Sequence, residues 1–189
     1  RLPRFHERLP NVRVIIQPNQ LDDDFLDKEV DCWLHWRKST NSPWPRHIRA
    51  TYISGREIVP ICHPSVLVAI KTPADLLRYP LLYHVEAPEL WLQWCKAHDL
   101  PPPKTLDSQF NIMAVAIDAV ANNLGIALSP SCLVQQDVQS GRVAVPPKMA
   151  YHSRRGYYLC TPRARDDDPI IGAFRDWLLE CAAIDFQDN

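Results

Sequence analysis

The residues with the clearest potential for chemistry lie in one segment, DSQFNIMAVAIDAVANNLGIALSP, residues 107–130 of the 189-residue chain. Ser108 precedes a run of apolar residues at helical spacing, and its hydroxyl can accept a hydrogen bond from an amide of the first helical turn. A helix that begins there would present unpaired N–H groups to an anion. The alternative, which the segment alone leaves open, is a helix and a strand that only fill a core.

Two cysteine–histidine pairs could supply a nucleophile or metal ligands. Cys62 adjoins His63, and Cys95 lies three residues before His98. A structural zinc site needs four ligands at characteristic spacing, and the sequence offers no third and fourth ligand. A thiol nucleophile needs a base and an oxyanion site, which adjacency in sequence does not supply. We therefore expect no catalytic residues, no metal and no cofactor.

Composition narrows the class of protein. The chain is 46% hydrophobic and 23% charged, with a formal net charge of −1, which is typical of one globular domain or two small lobes. Its basic residues are scattered, so we do not expect this chain by itself to bind DNA. No apolar run approaches the length of a transmembrane helix, and the six cysteines contain no CxxC pair. Reduced thiols in a cytoplasmic protein are the expectation.

Strand and helix signals alternate along the chain, and this order predicts a parallel sheet built from βαβ crossovers. The predicted strands span residues 12–16, 30–36, 48–54, 57–62, 81–84, 105–106, 125–130, 143–145 and 157–160. The predicted helices span residues 1–9, 21–29, 88–98 and 130–138, with others beginning at Thr72, Ser108 and Asp168. No strand precedes the first helix, so we expect the sequence to begin inside a domain.

Several local signals sharpen these boundaries. Thr72-Pro73-Ala74-Asp75 is a capping box with proline at the first helical position. Ser129 is predicted to cap the helix at 130–138. Asn122 or Asn123 is predicted to take the left-handed conformation that ends the central helix. The helix at 88–98 is expected to bury one face, formed by Leu90, Trp91, Trp94 and Cys95.

Short segments along nearly the whole chain occur in a familiar order: RLPRFHERLPNVRV at the start, then EIVPICHP, DLLRYPLLYH, GIALSP, SGRV and YYLCTP. Each is unspecific alone, whereas their order and spacing together are specific. The sequence resembles the effector-binding domain of LysR-type transcriptional regulators. It is most similar to the branch that regulates glycine cleavage and β-lactamase.

The resemblance implies an α/β fold of the type II periplasmic-binding-protein class, in which two Rossmann-like lobes are joined by two crossing strands and an effector binds between them. The implied lobes are residues 1–60 plus 161–189, and residues 61–160, with crossings at 57–63 and 157–162. The family's winged helix-turn-helix and its first regulatory strand would lie upstream, outside this sequence.

The resemblance also implies where ligand contacts should lie, because this fold binds ligands at strand ends and helix starts. Arg37 is the expected charged donor to a carboxylate, Ser108 a neutral donor, and Glu86 the partner of an ammonium group. The alternative is that His35 and Trp36 are only half-buried strand residues and Arg37 is a solvated loop charge. The complete set of expected ligand contacts is Asn19, His35, Arg37, Ser39, His84, Glu86, Ser108, Phe110 and Tyr157.

The implied partners are a small carboxylate or amino-acid-like effector, a second copy of the chain in a dimer or tetramer, and DNA through the absent N-terminal domain. The expected dimer contacts lie on the first helix and the central helix, at Phe5, Ile112, Val115 and Ala119. No membrane contact is expected. Two alternatives remain: a stand-alone solute-binding protein of the same fold, and an enzyme on that fold, such as a deaminase of related architecture.

Overall fold

The computed structural model describes residues 2–17, 25–38 and 43–187, with side chains described to residue 183. The chain divides into two compact units. Unit one comprises Arg1–Ser54 and Arg154–Asn189, and unit two comprises Gly55–Ser153. The family resemblance implies lobe boundaries after residues 60 and 160. In the structure, residues 55–60 belong to unit two and residues 154–160 to unit one.

Among the described residues, unit one contains two helices and three strands, and unit two contains the remaining five helices and five strands. The helices are α1 Leu2–Arg8, α2 Pro64–Leu67, α3 Pro73–Leu76, α4 Leu90–Ala97, α5 Met113–Ala121, α6 Ser131–Gln139 and α7 Pro169–Gln187, with a 3-10 turn at Arg163–Arg165. The strands are β1 Trp33–Lys38, β2 Ile48–Ser54, β3 Glu57–Ile61, β4 Leu81–His84, β5 Ser108–Phe110, β6 Ile126–Pro130, β7 Tyr151–His152 and β8 Arg155–Pro162.

The expectation of parallel sheets is correct for only part of unit two. Its five strands run in the order β5-β4-β6-β3-β7. The β4–β5 and β4–β6 pairs are parallel, whereas β3 is antiparallel to both β6 and β7. In unit one the described sheet has the order β1-β8-β2, and both pairs are antiparallel.

Two predicted helix starts are confirmed by their capping contacts. The Asp75 carboxylate accepts hydrogen bonds from the backbone N–H of Thr72 (2.8 Å) and of Lys71 (3.0 Å), which completes the capping box of α3. These bonds lower the pKa of Asp75. At α7 the Asp168 carboxylate accepts the N–H of Ile170 at 2.9 Å. Both carboxylates thus satisfy amides that the helix itself leaves unpaired.

The end of the central helix and the buried face of α4 also follow the predictions. Asn123 has φ +60°, the left-handed conformation that asparagine tolerates better than most residues. The predicted inner face of α4 is fully buried, and its two indoles donate to backbone carbonyls: Trp91 to Leu82 at 2.9 Å and Trp94 to Met149 at 2.7 Å. These bonds let large amphipathic rings fill the core without an unpaired N–H.

Other element predictions are wrong. Residues 12–16 are irregular, and Ile15 and Ile16 are 72% and 77% exposed, because the β-rich sequence pairs with none of the described strands. The described part of the helix predicted at 21–29 is also irregular, and buried Phe25 has φ +56°. At 143–145 the predicted strand is reduced to an isolated bridge between Ala144 and Cys62.

Ser129 is not the cap of α6. It is fully buried in β6, and its hydroxyl donates to the carbonyl of Pro130 at 3.2 Å, so α6 begins at Ser131 with Pro130 before it. None of the helices among the described residues has the combined length and hydropathy needed to cross a bilayer.

Candidate functional site

Strand β1 carries two of the predicted contacts of unit one on a single face. In the antiparallel register His35 lies opposite Tyr158, and Arg37 lies opposite Gly156. Directly paired residues share a face of the sheet, and successive residues alternate between faces. His35 and Arg37 therefore lie on the same face as Tyr158. We call this the aromatic face, because Phe25, Trp33, Trp44 and Tyr52 also pack there.

The aromatic face holds the Arg37 guanidinium in place. Its Cζ lies 4.1 Å from the centroid of the Trp44 ring, a cation–π contact. Trp44 in turn contacts Tyr158 with ring centroids 5.3 Å apart, and Phe25 at 6.0 Å. Arg37 is thus a half-buried residue of β1 rather than a loop residue, and His35 and Trp36 are half-buried strand residues, as the alternative describes them.

A glycine allows this packing. A Cβ on Gly156, which lies opposite Arg37, would meet the Tyr52 ring at 2.7 Å and the Ser54 carbonyl oxygen at 3.2 Å. Contacts under 3.0 Å do not occur between real Cβ atoms and their neighbours. The absence of a side chain therefore lets Tyr52 lie over the strand beside Arg37.

Tyr157 lies on the opposite face of the same sheet. It is paired with Trp36, and the two rings have centroids 6.2 Å apart and planes inclined by 32°. The Arg155 guanidinium lies 5.1 Å from the Trp36 centroid. Within unit one the sheet therefore separates Tyr157 from His35 and Arg37, whereas the sequence grouped all three. The two remaining predicted contacts of this unit, Asn19 and Ser39, lie outside the described residues.

In unit two, the predicted contacts cluster where β4 and β5 end. The backbone N–H of Val85 donates to the carbonyl of Phe110 at 2.8 Å, which extends the parallel pairing beyond β4. Glu86 follows in an exposed turn, and His84 pairs with Phe110 across the two strands. The backbone pairing at the ends of β4 and β5 thus brings His84, Glu86 and Phe110 together.

Ser108 does not cap a helix, contrary to the sequence prediction. It lies in β5 opposite Leu82, and α5 begins only at Met113, with apolar Ile112 at the N-cap position. The register is fixed by Asp107, whose N–H donates to the Leu81 carbonyl and whose carboxylate accepts the Leu81 N–H, both at 2.8 Å. The anion site inferred from a Ser108 cap therefore has no geometric basis, and Ser108 remains a candidate as a strand residue.

Helix α5 presents an exposed apolar face. Ile112 is 55% exposed and Val115 49%, and Ala119 is partly buried one turn further along. Phe5, the fourth predicted dimer contact, is only 1% exposed, because it packs against Phe174 and Trp177 at centroid distances of 5.3 Å. We therefore remove Phe5 from the candidate interface: it belongs to the core of unit one.

Three cysteines, Cys62, Cys95 and Cys160, are buried, and Cys32 is partly buried. Burial raises the pKa of Cys62 to about 11 and that of Cys160 to about 12, and it also raises the pKa of Cys32 to about 11. Since the thiolate is the nucleophilic form, these groups are unreactive near neutral pH. Within the described ranges, no group of three or more His, Cys, Asp or Glu side chains could hold a metal ion.

Comparison with known proteins identifies the family. The profile described as "LysR substrate binding domain" matches residues 1–183. The chain belongs to this family. It is 29% identical over 184 residues to the uncharacterized HTH-type transcriptional regulator y4mQ of Sinorhizobium fredii, covering 96% of this chain and 61% of the relative. It is also 26% identical over 187 residues to the glycine cleavage system transcriptional activator of Escherichia coli K12, covering 97% of this chain and 60% of that relative.

Solved structures of the LysR family share the fold. The effector domain of the transcriptional regulator AmpR of Pseudomonas aeruginosa superimposes with a TM-score of 0.80 at 24% identity, over 99% of this chain and 89% of that one. The fold is therefore the periplasmic-binding-protein-like α/β fold of LysR effector-binding domains. The chain spans about 60% of the length of the curated relatives that it matches.

Sequence reasoning missed three residues that shape the aromatic face: Trp44, Tyr52 and Gly156. The alternation of side chains along a strand offered one signal, since Tyr157 and Tyr158 must point to opposite faces. Choosing between them needed the register with β1. The contact of Trp44 with Arg37 joins a loop residue to a strand residue and leaves no periodic trace in the sequence.

Proposed function

We propose that this chain is the effector-sensing domain of a LysR-type transcriptional regulator and that it binds a small anionic or zwitterionic metabolite. The observation that carries the proposal is the family match over residues 1–183. The fold shared with the AmpR effector domain supports it. The proposed role is non-enzymatic, because the relatives that the chain matches are named as transcriptional regulators.

Arg37 is the proposed carboxylate contact in unit one. Its guanidinium lies over the Trp44 ring, and this contact restricts the positions that its N–H donors can take. A planar fork of donors matches the two oxygens of a carboxylate. His35 on the same face, and Asn19, Ser39 and Tyr157, remain proposed contacts from the family resemblance.

Glu86 is the proposed partner of an ammonium group in unit two. It is exposed in the turn that follows β4, so its carboxylate is accessible to a ligand. His84, Ser108 and Phe110 complete the proposed contacts of this unit. We expect the carboxylate of an effector to contact Arg37 in unit one and an ammonium group to contact Glu86 in unit two.

A second copy of the chain is the proposed partner of α5. Ile112 and Val115 form an apolar face whose exposure an interface would remove, and Ala119 allows close approach of a second helix. The assembly is a homodimer or a larger oligomer that contains it. The regulator would contact DNA through a part of the protein outside this chain and act in the cytoplasm.

A thermal-shift screen tests effector binding. The panel contains amino acids, short peptides and aromatic carboxylic acids, and we expect at least one class to raise the melting temperature. Arg37→Ala should reduce the shift for carboxylates, and Glu86→Gln should reduce it for zwitterions only. Arg46→Ala, which alters an exposed arginine of the loop that carries Trp44, is the matched control. Equal shifts in all three variants would contradict the placement of the contacts.

A further inference from the structure

The His84 ring at the end of β4 uses both of its nitrogens. Nε2 lies 3.0 Å from the carbonyl oxygen of Asn111, and Nδ1 lies 3.3 Å from the backbone nitrogen of Glu86. A carbonyl can only accept a hydrogen bond, so Nε2 must carry the proton. A backbone N–H can only donate, so Nδ1 must be the acceptor. The geometry thus selects the neutral imidazole protonated on Nε2.

The two segments joined by this ring are those on which the proposed function depends. Glu86 belongs to the tight turn after β4, in which the N–H of Ala87 donates to the carbonyl of His84 at 3.0 Å. Asn111 immediately precedes Ile112, the N-cap residue of α5 and the first residue of its exposed apolar face. The Ile112 carbonyl accepts the N–H of Ala116 at 3.2 Å, which closes the first turn of α5.

We propose that His84 is a positioning residue that links the Glu86 turn to the start of α5, so that a displacement of Glu86 reaches Ile112 through the imidazole ring. The inference rests on the proposed function, in which Glu86 contacts the effector and α5 contacts a second copy. It adds a side-chain link to the backbone pairing of β4 with β5, in which the Val85 N–H donates to the Phe110 carbonyl. A side chain that contacted only one of the two segments would stabilise that segment but would not couple its displacement to the other.

Ring spectroscopy and amide exchange on the ligand-free chain test the link. Long-range ¹H–¹⁵N spectra of the imidazole should show a protonated Nε2 and an unprotonated Nδ1. In His84→Phe, which keeps a ring but loses both bonds, the Glu86 and Ala116 amides should exchange about five times faster, the factor expected for one lost hydrogen bond. In His84→Gln, whose amide can still donate to Asn111, the Ala116 rate should return toward that of the wild type.

His63→Phe is the matched control. The Nδ1 of His63 accepts the N–H of Ser65 at 3.2 Å at the start of α2, a bond of the same type elsewhere in unit two. Its loss should speed exchange near Ser65 and leave Ala116 unchanged. If His84→Phe fails to fold, the tautomer of His84 in the wild-type chain decides.

Three results would overturn the inference: a proton on Nδ1, unchanged Glu86 and Ala116 rates in His84→Phe, or equal acceleration of Ala116 in the His63 control. Because these experiments use no effector, their failure would not contradict effector binding. Conversely, a metabolite panel in which no compound binds would not contradict the His84 link.

Discussion

Replacing Ile112 and Val115 with aspartate tests whether the exposed face of α5 is a homodimer interface. About half of each side chain is exposed in the isolated chain. Full burial of such a side chain stabilises by about 1.5–3 kcal/mol, so burying the exposed half contributes about 1 kcal/mol. A two-fold interface contains each residue twice, which gives about 4 kcal/mol from the two positions.

A loss of about 4 kcal/mol corresponds to a rise in the dimer dissociation constant of about a thousandfold. The introduced carboxylates add a desolvation cost in the same direction. Sedimentation equilibrium over a wide concentration range should therefore show a dimer for the wild type and a monomer for the double variant. Thermal unfolding of the variant monomer should stay cooperative, because both side chains lie outside the core of unit two.

Val68→Asp is the matched control, because Val68 is 75% exposed in unit two and belongs to a different element, the end of α2. It should leave the dimer intact. A double variant that dimerises as tightly as the wild type would refute the assignment of this face. A wild-type chain that is monomeric at all concentrations would refute the interface itself.

Three further predictions concern packing, pH and thiol chemistry. Gly156→Ala should lower the free energy of unfolding by about 1–3 kcal/mol in urea titrations, since its Cβ would overlap the Tyr52 ring, and a Tyr52→Ala background should remove most of that loss. Folding lowers the pKa of Asp75, so the stabilisation from its carboxylate is present above the unfolded pKa and is lost as pH falls through the folded pKa. Asp75→Asn should therefore make the free energy of unfolding depend less on pH in the acid range. An unchanged pH dependence would contradict the assignment of this stabilisation to Asp75. Cys160, with its pKa raised to about 12, should react with a thiol reagent at pH 8 only as fast as the protein opens, and rapid labelling of the folded chain would contradict its burial.

The local elements were predictable where the signal is contained in the element itself. Strands β4 and β6 are short apolar runs bounded by proline or glycine, and the capping box at Thr72 contains its own hydrogen-bond partners. The buried face of α4 follows from helical spacing alone. The order of strand and helix signals indicated an α/β fold, and the family resemblance specified the periplasmic-binding-protein class.

The errors arose where a distant strand decides the structure. Ser108 has the sequence signature of a helix cap, but pairing with Leu82 draws it into β5, so α5 starts five residues later. Tyr157 and Tyr158 are adjacent in sequence and lie on opposite faces, and only the register with β1 shows which one adjoins Arg37. Phe5 fits an exposed helix face equally well until α7 covers it.

A ¹H–¹⁵N titration of the chain with the metabolite panel tests the central claim, effector sensing, most directly. We predict that a carboxylate or a zwitterion produces saturable shifts in the backbone amides around Arg37 and Glu86. Arg37→Ala should weaken that response, whereas Arg46→Ala should leave it intact. No saturable shift with any member of the panel, or shifts confined to residues far from both, would contradict the claim.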